Sequence, residues 1–287
     1  MIISPFNPQA GSLYSMNMIL YFSLFISILK GYSPLIFSEN SIQKIKVIAH
    51  RGAHTELPEN TIQAFEEAIE IGVDYIEVDL RTTKDGYLAV FHDGSLDRMT
   101  GIQGDFGDYD LKELQNMPLF HQGKLNKEYR IPTFEEVLKI SKGRVKIYLD
   151  FKTADVQKTW KLIQKFGMDD QILVYVNHPL QQKDWGKTAP NVPLMMSLPD
   201  SVQDIESLKD FISETDVDYF DGKCQDYTPE MIQAAQFLGK EIWIDIQSPN
   251  ESPEIWASCI KKGVNALQTD HPKDLREYLK NPELEKP

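Results

Sequence analysis

Cysteine is scarce in this sequence of 287 residues, which contains only Cys224 and Cys259. The two lie far apart in the chain and neither belongs to a C-x-x-C pair, which excludes a zinc knuckle and a scaffold held together by many disulfides. We expect two buried free thiols. A single disulfide is the alternative, and export to an oxidising compartment would favour it.

Positive charge is also in short supply. The 30 Lys and Arg residues are outnumbered by 43 Asp and Glu residues, so the formal net charge is −13, and no segment is rich in Lys and Arg. Because affinity for a phosphate backbone depends on clustered basic side chains, we expect no nucleic-acid partner. No feature of the sequence indicates an obligate protein partner.

Long apolar runs are missing as well. The uncharged run MILYFSLFISIL at residues 18–29 is shorter than the roughly 20 residues that a membrane-spanning helix needs, and it is typical of the core of a signal peptide. We therefore expect residues 1–40 to be a leader and the protein to be exported; an uncleaved membrane anchor is the alternative. Residues 41–287 are expected to form one domain, because 41% of the chain is apolar and can supply one large core.

Strand-like and helix-like segments alternate from Ile45 onward, which is typical of parallel α/β proteins. Capping boxes indicate two helix starts, one at Asn60 with Gln63 and one at Thr133 with Glu136. The strand-like runs number eight: IKVIAH, YIEVDL, VKIYLD, QILVYV, PLMMSL, VDYFDG, EIWIDI and NALQTD. Eight strands with intervening helices close most economically as a TIM (β/α)8 barrel, whose chemistry lies at the carboxyl ends of its strands.

Ionisable residues gather near the ends of the first strand-like runs. Side-chain alternation along YIEVDLR puts Glu77 and Asp79 on the same face of the strand. The Asp85-Gly86 pair predicts a tight hairpin turn, so LAVFHD should fold back as an antiparallel strand. This hairpin brings His92 roughly opposite Asp79.

Two adjacent carboxylates are costly at low dielectric unless a cation compensates them. His50 and Arg51 end the preceding run, so an imidazole and a guanidinium are expected beside Glu77 and Asp79. This combination indicates metal-assisted attack on a phosphate. An amphipathic edge strand with both acids in water would leave the two histidines unexplained.

The sequence resembles the glycerophosphodiester phosphodiesterase family from about Lys46 to Leu279. The resemblance rests on motifs in a fixed order: HRG at 50–52, PENT at 58–61, E-x-D at 77–79, TKDG at 83–86, FHD at 91–93, IPT-x-EEVL at 131–138, D-x-K at 150–152 and TD-x-P at 269–272. It implies a TIM barrel of the PLC-like phosphodiesterase type, with a short antiparallel hairpin strand after the second strand. It also implies hydrolysis of glycerophosphodiesters to sn-glycerol 3-phosphate and an alcohol.

The resemblance further implies the roles of individual residues. It assigns acid-base catalysis to His50 and His92, phosphate binding to Arg51 and Lys152, and metal binding to Glu77, Asp79 and Asp150. Many relatives have Glu where this chain has Asp150. Ligands that are all oxygen suit one hard divalent cation, Mg²⁺ or Ca²⁺, rather than zinc.

Several neighbouring residues have open or structural interpretations. Glu59 is expected either near the metal or against Arg51, and Asn60 is expected to cap the first helix. Trp243 is expected to form an aromatic wall for the substrate. We expect His54 at the surface, and Asp270 as the cap of the last helix because Pro272 follows it.

Two other functions remain open from the sequence alone. One is another metal-dependent phosphodiesterase of the PLC-like type, such as a phospholipase D-like enzyme. The other is a catalytically inactive lipid- or metal-binding relative, which the presence of Asp150 allows and the intact histidine and carboxylate pairs argue against.

Overall fold

The computed structural model describes residues 44–248 and 250–280. The expected leader, residues 1–40, lies outside these residues, so its boundary with a domain at 41–287 stays a prediction. Across the described residues, we find no helix that combines the length and the apolar character needed to traverse a lipid bilayer.

The described chain alternates strands and helices. Its strands are β1 (Lys46–Ala49), β2 (Tyr75–Thr82), β3 (Leu88–Val90), β4 (Leu119–His121), β5 (Lys124–Asn126), β6 (Lys146–Thr153), β7 (Ile172–Val176), β8 (Leu194–Ser197), β9 (Tyr219–Asp221), β10 (Glu241–Asp245) and β11 (Ala266–Thr269). Its α-helices are α1 (Ile62–Ile71), α2 (Asp97–Thr100), α3 (Leu111–Gln115), α4 (Phe134–Ser141), α5 (Val156–Phe166), α6 (Pro179–Thr188), α7 (Ile205–Glu214), α8 (Pro229–Phe237), α9 (Pro253–Lys261) and α10 (Pro272–Leu279).

Eight parallel strands close into a barrel in the order β1, β11, β10, β9, β8, β7, β6, β2, and β2 pairs back onto β1. These strands coincide with the eight runs read from the sequence, so the predicted TIM barrel is confirmed. The outward-facing strand residues, such as Val47, Val78 and Leu149, pack in one apolar cluster with buried helix residues that include Phe65 and Phe134.

The predicted hairpin after the second barrel strand is also present. Strand β3 pairs antiparallel with β2, with Leu80 opposite Val90. The backbone N–H of Phe91 donates to the carbonyl of Asp79 at 3.0 Å, so Phe91 rather than His92 lies opposite Asp79. The prediction of the register was therefore in error by one residue.

Helix starts follow local capping chemistry. Thr133 caps α4 and forms the predicted capping box with Glu136. Helix α1 is capped by Thr61, whose side chain accepts from Ala64 N–H, and not by Asn60 as expected. Asn60 adopts φ 56 just before the cap, and its side chain donates to Asp79.

Cys224 and Cys259 form a disulfide, with their Cα atoms 5.7 Å apart. This corrects the expectation of two free thiols. Cys224 follows β9 and Cys259 lies in α9 after β10. Because β9 and β10 are neighbours in the barrel, residues 35 positions apart in sequence come together in space. Their spacing in the sequence did not reveal this proximity.

Candidate active site

The interior of the barrel changes abruptly from apolar to polar along its strands. A buried apolar layer fills its middle: Ile48, Tyr75, Tyr148, Leu173, Met195, Trp243 and Ala266, with Tyr219 packed against it. Two residues further along each strand, the side chain returns to the same face. These eight positions form a polar ring: His50, Glu77, Asp150, Tyr175, Ser197, Asp221, Asp245 and Gln268.

The polar ring lines a cavity of about 230 Å³. The remaining lining residues are Arg51, Asp79, His92, Tyr148, Lys152, Asn177 and Gln247. The ring members Tyr175, Ser197, Asp221 and Gln268 escaped the sequence reasoning. Counting two residues on from the interior apolar residue of each strand would have found them.

Three carboxylates converge on one side of the cavity. Glu77, Asp79 and Asp150 each offer an oxygen, and these oxygens all lie within 4.8 Å of one another. Glu77 is 3% exposed and Asp79 is 1% exposed. Burial, followed by the charges of Asp79 and Asp150, raises the pKa of Glu77 well above its usual range. Burial likewise raises the pKa of Asp150, although Lys152 opposes the shift.

The acid cluster fits a divalent cation. Asp79 Oδ1 is buried and accepts no hydrogen bond, and its nearest cation is Lys152 Nζ at 3.2 Å. Buried carboxylates that raise each other's pKa are stabilised by an added positive charge. The donor set consists of carboxylate oxygens, which suits a hard ion.

Arg51 and Lys152 bring positive charge to the same side. Lys152 Nζ lies 2.5 Å from Asp150 Oδ2, and Arg51 Nε lies 3.4 Å from Asp79 Oδ2. Burial alone would lower the pKa of each cation, but the surrounding carboxylates outweigh it and raise both pKa values. Both side chains therefore stay charged and are available to an anion.

Glu59 and Asn60 support this cluster from the loop before α1. Arg51 donates to Glu59 Oε1 at 3.0 Å, so Glu59 lies against Arg51, one of the two expected positions. Asn60 Nδ2 donates to Asp79 Oδ2 at 2.7 Å. Asn60 thus holds a carboxylate of the acid cluster and does not cap the helix.

His50 lies in a hydrogen-bonded group that the sequence did not reveal. Its Nδ1 is 2.7 Å from Asp270 Oδ1, and His54 Nε2 is 2.9 Å from the same oxygen. Burial lowers the pKa of His50, against the opposing effect of Asp270. Hydrogen bonds from both imidazoles outweigh burial and hold the pKa of Asp270 well below its usual range. Because an ionised carboxylate only accepts, His50 donates through Nδ1 and its Nε2 is left as an acceptor.

Two expectations about this group were wrong. Asp270 does not cap the last helix, because His271 occupies the N-cap position of α10. His54 is not a surface residue, since its side chain is 21% exposed and bound to Asp270. The cause is the pairing of β1 with β11, which brings the ends of the chain's first and last barrel strands together.

His92 is held by a different carboxylate, that of Asp93. Its Nδ1 lies 2.6 Å from Asp93 Oδ1, and Arg98 donates to the other oxygen of Asp93 at 2.6 Å. Arg98 also donates to both oxygens of Glu59, at 2.7 and 2.8 Å. Arg98 therefore links the carboxylate that holds His92 to the carboxylate that holds Arg51. Sequence reasoning missed Arg98, which has no periodic or motif signal of its own within the four-residue helix α2.

Trp243 does not form the expected aromatic wall. It is 1% exposed, and its ring packs 4.8 Å from those of Tyr75 and Tyr219 in the apolar layer. Its indole N–H donates to Glu241 Oε2 at 2.8 Å. Trp243 lies one layer below the cavity, and Asp245 occupies the cavity wall on that strand.

The chain is similar in sequence to known glycerophosphodiester phosphodiesterases. A sequence model of the glycerophosphoryl diester phosphodiesterase family matches residues 50–192. A glycerophosphodiester phosphodiesterase of Bacillus subtilis is 30% identical over 207 residues, covering 65% of this chain and 70% of that protein. The chain belongs to this family. A glycerophosphodiester phosphodiesterase of Caldanaerobacter subterraneus is 33% identical over 159 residues, covering 53% of this chain and 65%, just under two thirds, of that relative.

Solved structures of glycerophosphodiester phosphodiesterases have the same fold. One from Agrobacterium tumefaciens matches with a TM-score of 0.71 and 25% identity, covering 81% of this chain and 99% of that one. A phosphodiesterase of Oleispira antarctica, solved with the product sn-glycerol-3-phosphate, matches with a TM-score of 0.73 and 17% identity, covering 82% and 97%.

The family match divides the polar ring into two parts. Residues 50–192 include His50, Glu77, Asp150 and Tyr175. The other four members lie beyond the matched region: Ser197, Asp221, Asp245 and Gln268.

Proposed function

We propose that this chain hydrolyses glycerophosphodiesters to sn-glycerol 3-phosphate and an alcohol, in a reaction that requires one divalent cation. The observation that carries the proposal is that one cavity brings the acid cluster of Glu77, Asp79 and Asp150 together with two imidazoles and two cationic side chains. The names of the relatives support it, and so does the product found in the Oleispira antarctica structure.

Glu77, Asp79 and Asp150 are the residues that would hold the cation, either Mg²⁺ or Ca²⁺. When bound, such an ion polarises a phosphoryl oxygen and offsets the charge that develops on it. Arg51 and Lys152 bind the phosphate oxygens, and the planar guanidinium of Arg51 suits two parallel hydrogen bonds.

The two histidines divide the proton transfers. His50 is the base, because burial lowers its pKa and its Nε2 is free to accept the proton of the attacking hydroxyl. His92 is the acid: Asp93 Oδ1, 2.6 Å from its Nδ1, orients the ring, and Nε2 delivers the proton to the leaving oxygen. Each transfer contributes about 10²- to 10⁴-fold.

The family resemblance suggests the glycerol 2-hydroxyl as the nucleophile. Its oxygen attacks phosphorus, the alcohol departs with the proton from His92, and a cyclic glycerol phosphate forms. Water then opens the ring to glycerol 3-phosphate. An intramolecular attack gains from proximity, which would explain a requirement for the glycerol group. A diester lacking the 2-hydroxyl should therefore not turn over, and undiminished turnover would eliminate the cyclic route.

The test is release of glycerol 3-phosphate from glycerophosphocholine and glycerophosphoethanolamine, with Mg²⁺ or Ca²⁺ and with excess chelator. We expect release with a cation, loss with chelator, and recovery when the cation is restored. His50→Ala and His92→Ala should abolish release in folded protein, whereas His121→Ala, outside the cavity, should not. Cleavage of lysophosphatidylcholine alone would instead assign a phospholipase D-like activity. No hydrolysis of any diester with any cation would overturn the proposal.

We also propose that the protein is exported. Two features support this: the apolar run at residues 18–29, and the Cys224–Cys259 disulfide, a bond that persists in oxidising compartments.

A further inference from the structure

The carboxylates of the polar ring lie on two opposite sides of the barrel. Glu77 and Asp150 lie on the adjacent strands β2 and β6. Asp221 and Asp245 lie on the adjacent strands β9 and β10; β9 is four positions from β2 around the closed sheet, and β10 is four positions from β6. The cavity therefore has a second acidic side that faces the acid cluster across the barrel.

The carboxylates on this second side are held by neutral donors. Asp221 is 4% exposed, and its oxygens accept from the hydroxyls of Ser197 at 2.5 Å and Tyr148 at 2.8 Å. Asp245 accepts from the amide of Gln268 at 2.5 Å. Within residues 44–248 and 250–280, neither carboxylate forms an ion pair. Burial raises the pKa of Asp221 to about 6, although the charge of Lys152 opposes the shift. Burial, followed by the charge of Asp221, raises the pKa of Asp245 well above its usual range.

The unpaired polar atoms on this side are hydrogen-bond acceptors. Gln268 is 5% exposed and lines the cavity, yet its Oε1 is buried and accepts no hydrogen bond. Oε1 of Gln247, also on the cavity wall, is buried without a donor as well. A buried amide oxygen without a donor is costly, so a hydrogen-bond donor bound at this wall of the cavity would be favourable. We name Asp221, Asp245, Gln247 and Gln268 the acceptor patch.

The chemistry of the acceptor patch distinguishes three kinds of alcohol group. A primary ammonium supplies three N–H donors for the unpaired acceptors and a positive charge for the two carboxylates that form no ion pair in the described residues. A polyol supplies donors without charge. A quaternary ammonium supplies charge without donors, and it favours aromatic surroundings over the predominantly polar ones found here.

We propose that the acceptor patch binds the primary ammonium group of the substrate's alcohol, so that this chain prefers glycerophosphodiesters of amino-alcohols such as ethanolamine. The inference rests on the proposed function and adds the substrate class to it. The phosphate lies between Arg51 and Lys152 on one side, and the amino-alcohol reaches across the cavity to the other. The patch lies outside residues 50–192, so the match to the family model does not assign it.

The first test compares kcat/KM for glycerophosphoethanolamine, glycerophosphocholine and glycerophosphoglycerol on the full-length or mature protein. Hydrogen bonds to charged groups lead us to expect a preference of about 10- to 100-fold for the ethanolamine diester. Equal values for the three substrates, or a higher value for the choline or glycerol diester, would overturn the proposal while leaving the proposed function intact.

A charge-removing substitution sharpens the comparison. Asp245→Asn should reduce the ratio of kcat/KM between the ethanolamine and glycerol diesters by about tenfold. Asp184→Asn, the same change on the exposed part of α6, should leave that ratio at the wild-type value. Thermal denaturation of each variant establishes that it is folded. A ratio that survives Asp245→Asn and its partner substitution Asp221→Asn would also overturn the proposal.

Binding of ethanolamine hydrochloride provides a measurement that does not depend on turnover. Titration calorimetry should show that ethanolamine binds to the wild type and binds more weakly to Asp245→Asn. Ethylene glycol, the neutral analogue, should not bind to the wild type. If no diester is hydrolysed at all, the proposed function fails, and this titration alone decides the ammonium site: absence of ethanolamine binding rejects it.

Discussion

The carboxylate of Asp270 accepts hydrogen bonds from His50 and His54, and only His50 of the two lines the cavity. Asp270 fixes which nitrogen of His50 carries the hydrogen and stabilises the protonated ring. It is thus a positioning residue for the proposed base. The TD-x-P motif contains Asp270 but does not show its contact with His50, which depends on the pairing of β1 with β11.

Asp270→Asn should lower kcat/KM by about 10- to 100-fold. It should also move the acid limb of the pH profile to lower pH, because Asp270 raises the pKa of His50 and its removal lowers that pKa further. The measurement is kcat/KM between about pH 5 and pH 9, the range that brackets histidine titration. Asp274→Asn, an exposed carboxylate on α10, is the control. An unchanged profile for Asp270→Asn would remove Asp270 from the scheme.

At the scale of single residues, the sequence predicted what depends on local alternation. Glu77 and Asp79 share a face because side chains alternate along a strand, and the structure groups them with Asp150. The contact of His50 with Asp270 joins residues 220 positions apart. This contact follows from the pairing of β1 with β11. Side-chain patterns predict both strands, but they do not predict which side chains meet at the strand ends.

The hairpin β2–β3 and the short helix α2 act together as one element of the site. The hairpin leads the chain to His92, and α2 supplies Arg98, which holds the carboxylates of Asp93 and Glu59. Arg98 thereby fixes the segment that carries His92 relative to the loop that carries Arg51.

Arg98→Met should therefore affect both the order of His92 and the order of Arg51. We expect kcat to fall through the loss of order at His92, and KM to rise through the loss of order at Arg51. The combined loss in kcat/KM is about 10- to 100-fold, as for removal of charge-assisted hydrogen bonds. Arg130→Met removes an exposed ion pair with Glu136 outside the cavity and serves as the matched control. Steady-state kinetics of a folded Arg98→Met variant with wild-type kcat and KM would contradict this account.

Elements with strong local signals were predictable, and short ones were not. The Asp85-Gly86 turn predicted the hairpin, and Thr133 with Glu136 predicted the start of α4. The four-residue helix α2 and the turn Phe106–Asp108 are too short to show a hydrophobic period. Their positions depend on packing in a separate apolar cluster that includes Phe91, Leu96 and Phe106.

At the scale of the whole molecule, counting strands was sufficient to predict the closed barrel, because eight alternating units leave few other ways to bury both faces of the sheet. The disulfide was not predictable from spacing. It joins the segments that follow β9 and β10, which become neighbours only when the barrel closes.

The export proposal makes a prediction at this scale. The protein should be found outside the cytoplasm of the cells that express it, with an N-terminus beyond residue 29 and no titratable thiol until it is reduced. N-terminal sequencing, thiol titration and cell fractionation provide the measurement. Cytoplasmic protein that retains its first residues and shows two reactive thiols would refute export.

The polar ring rests on a complete apolar layer and takes one side chain from each strand. Most ring residues can therefore be replaced without removing a side chain from the layer beneath; Asp221, which accepts a hydrogen bond from Tyr148 of that layer, is an exception. We therefore expect substitutions at the ring positions of β8 to β11 to alter which substrate is accepted, and substitutions at those of β1, β2 and β6 to alter the reaction itself.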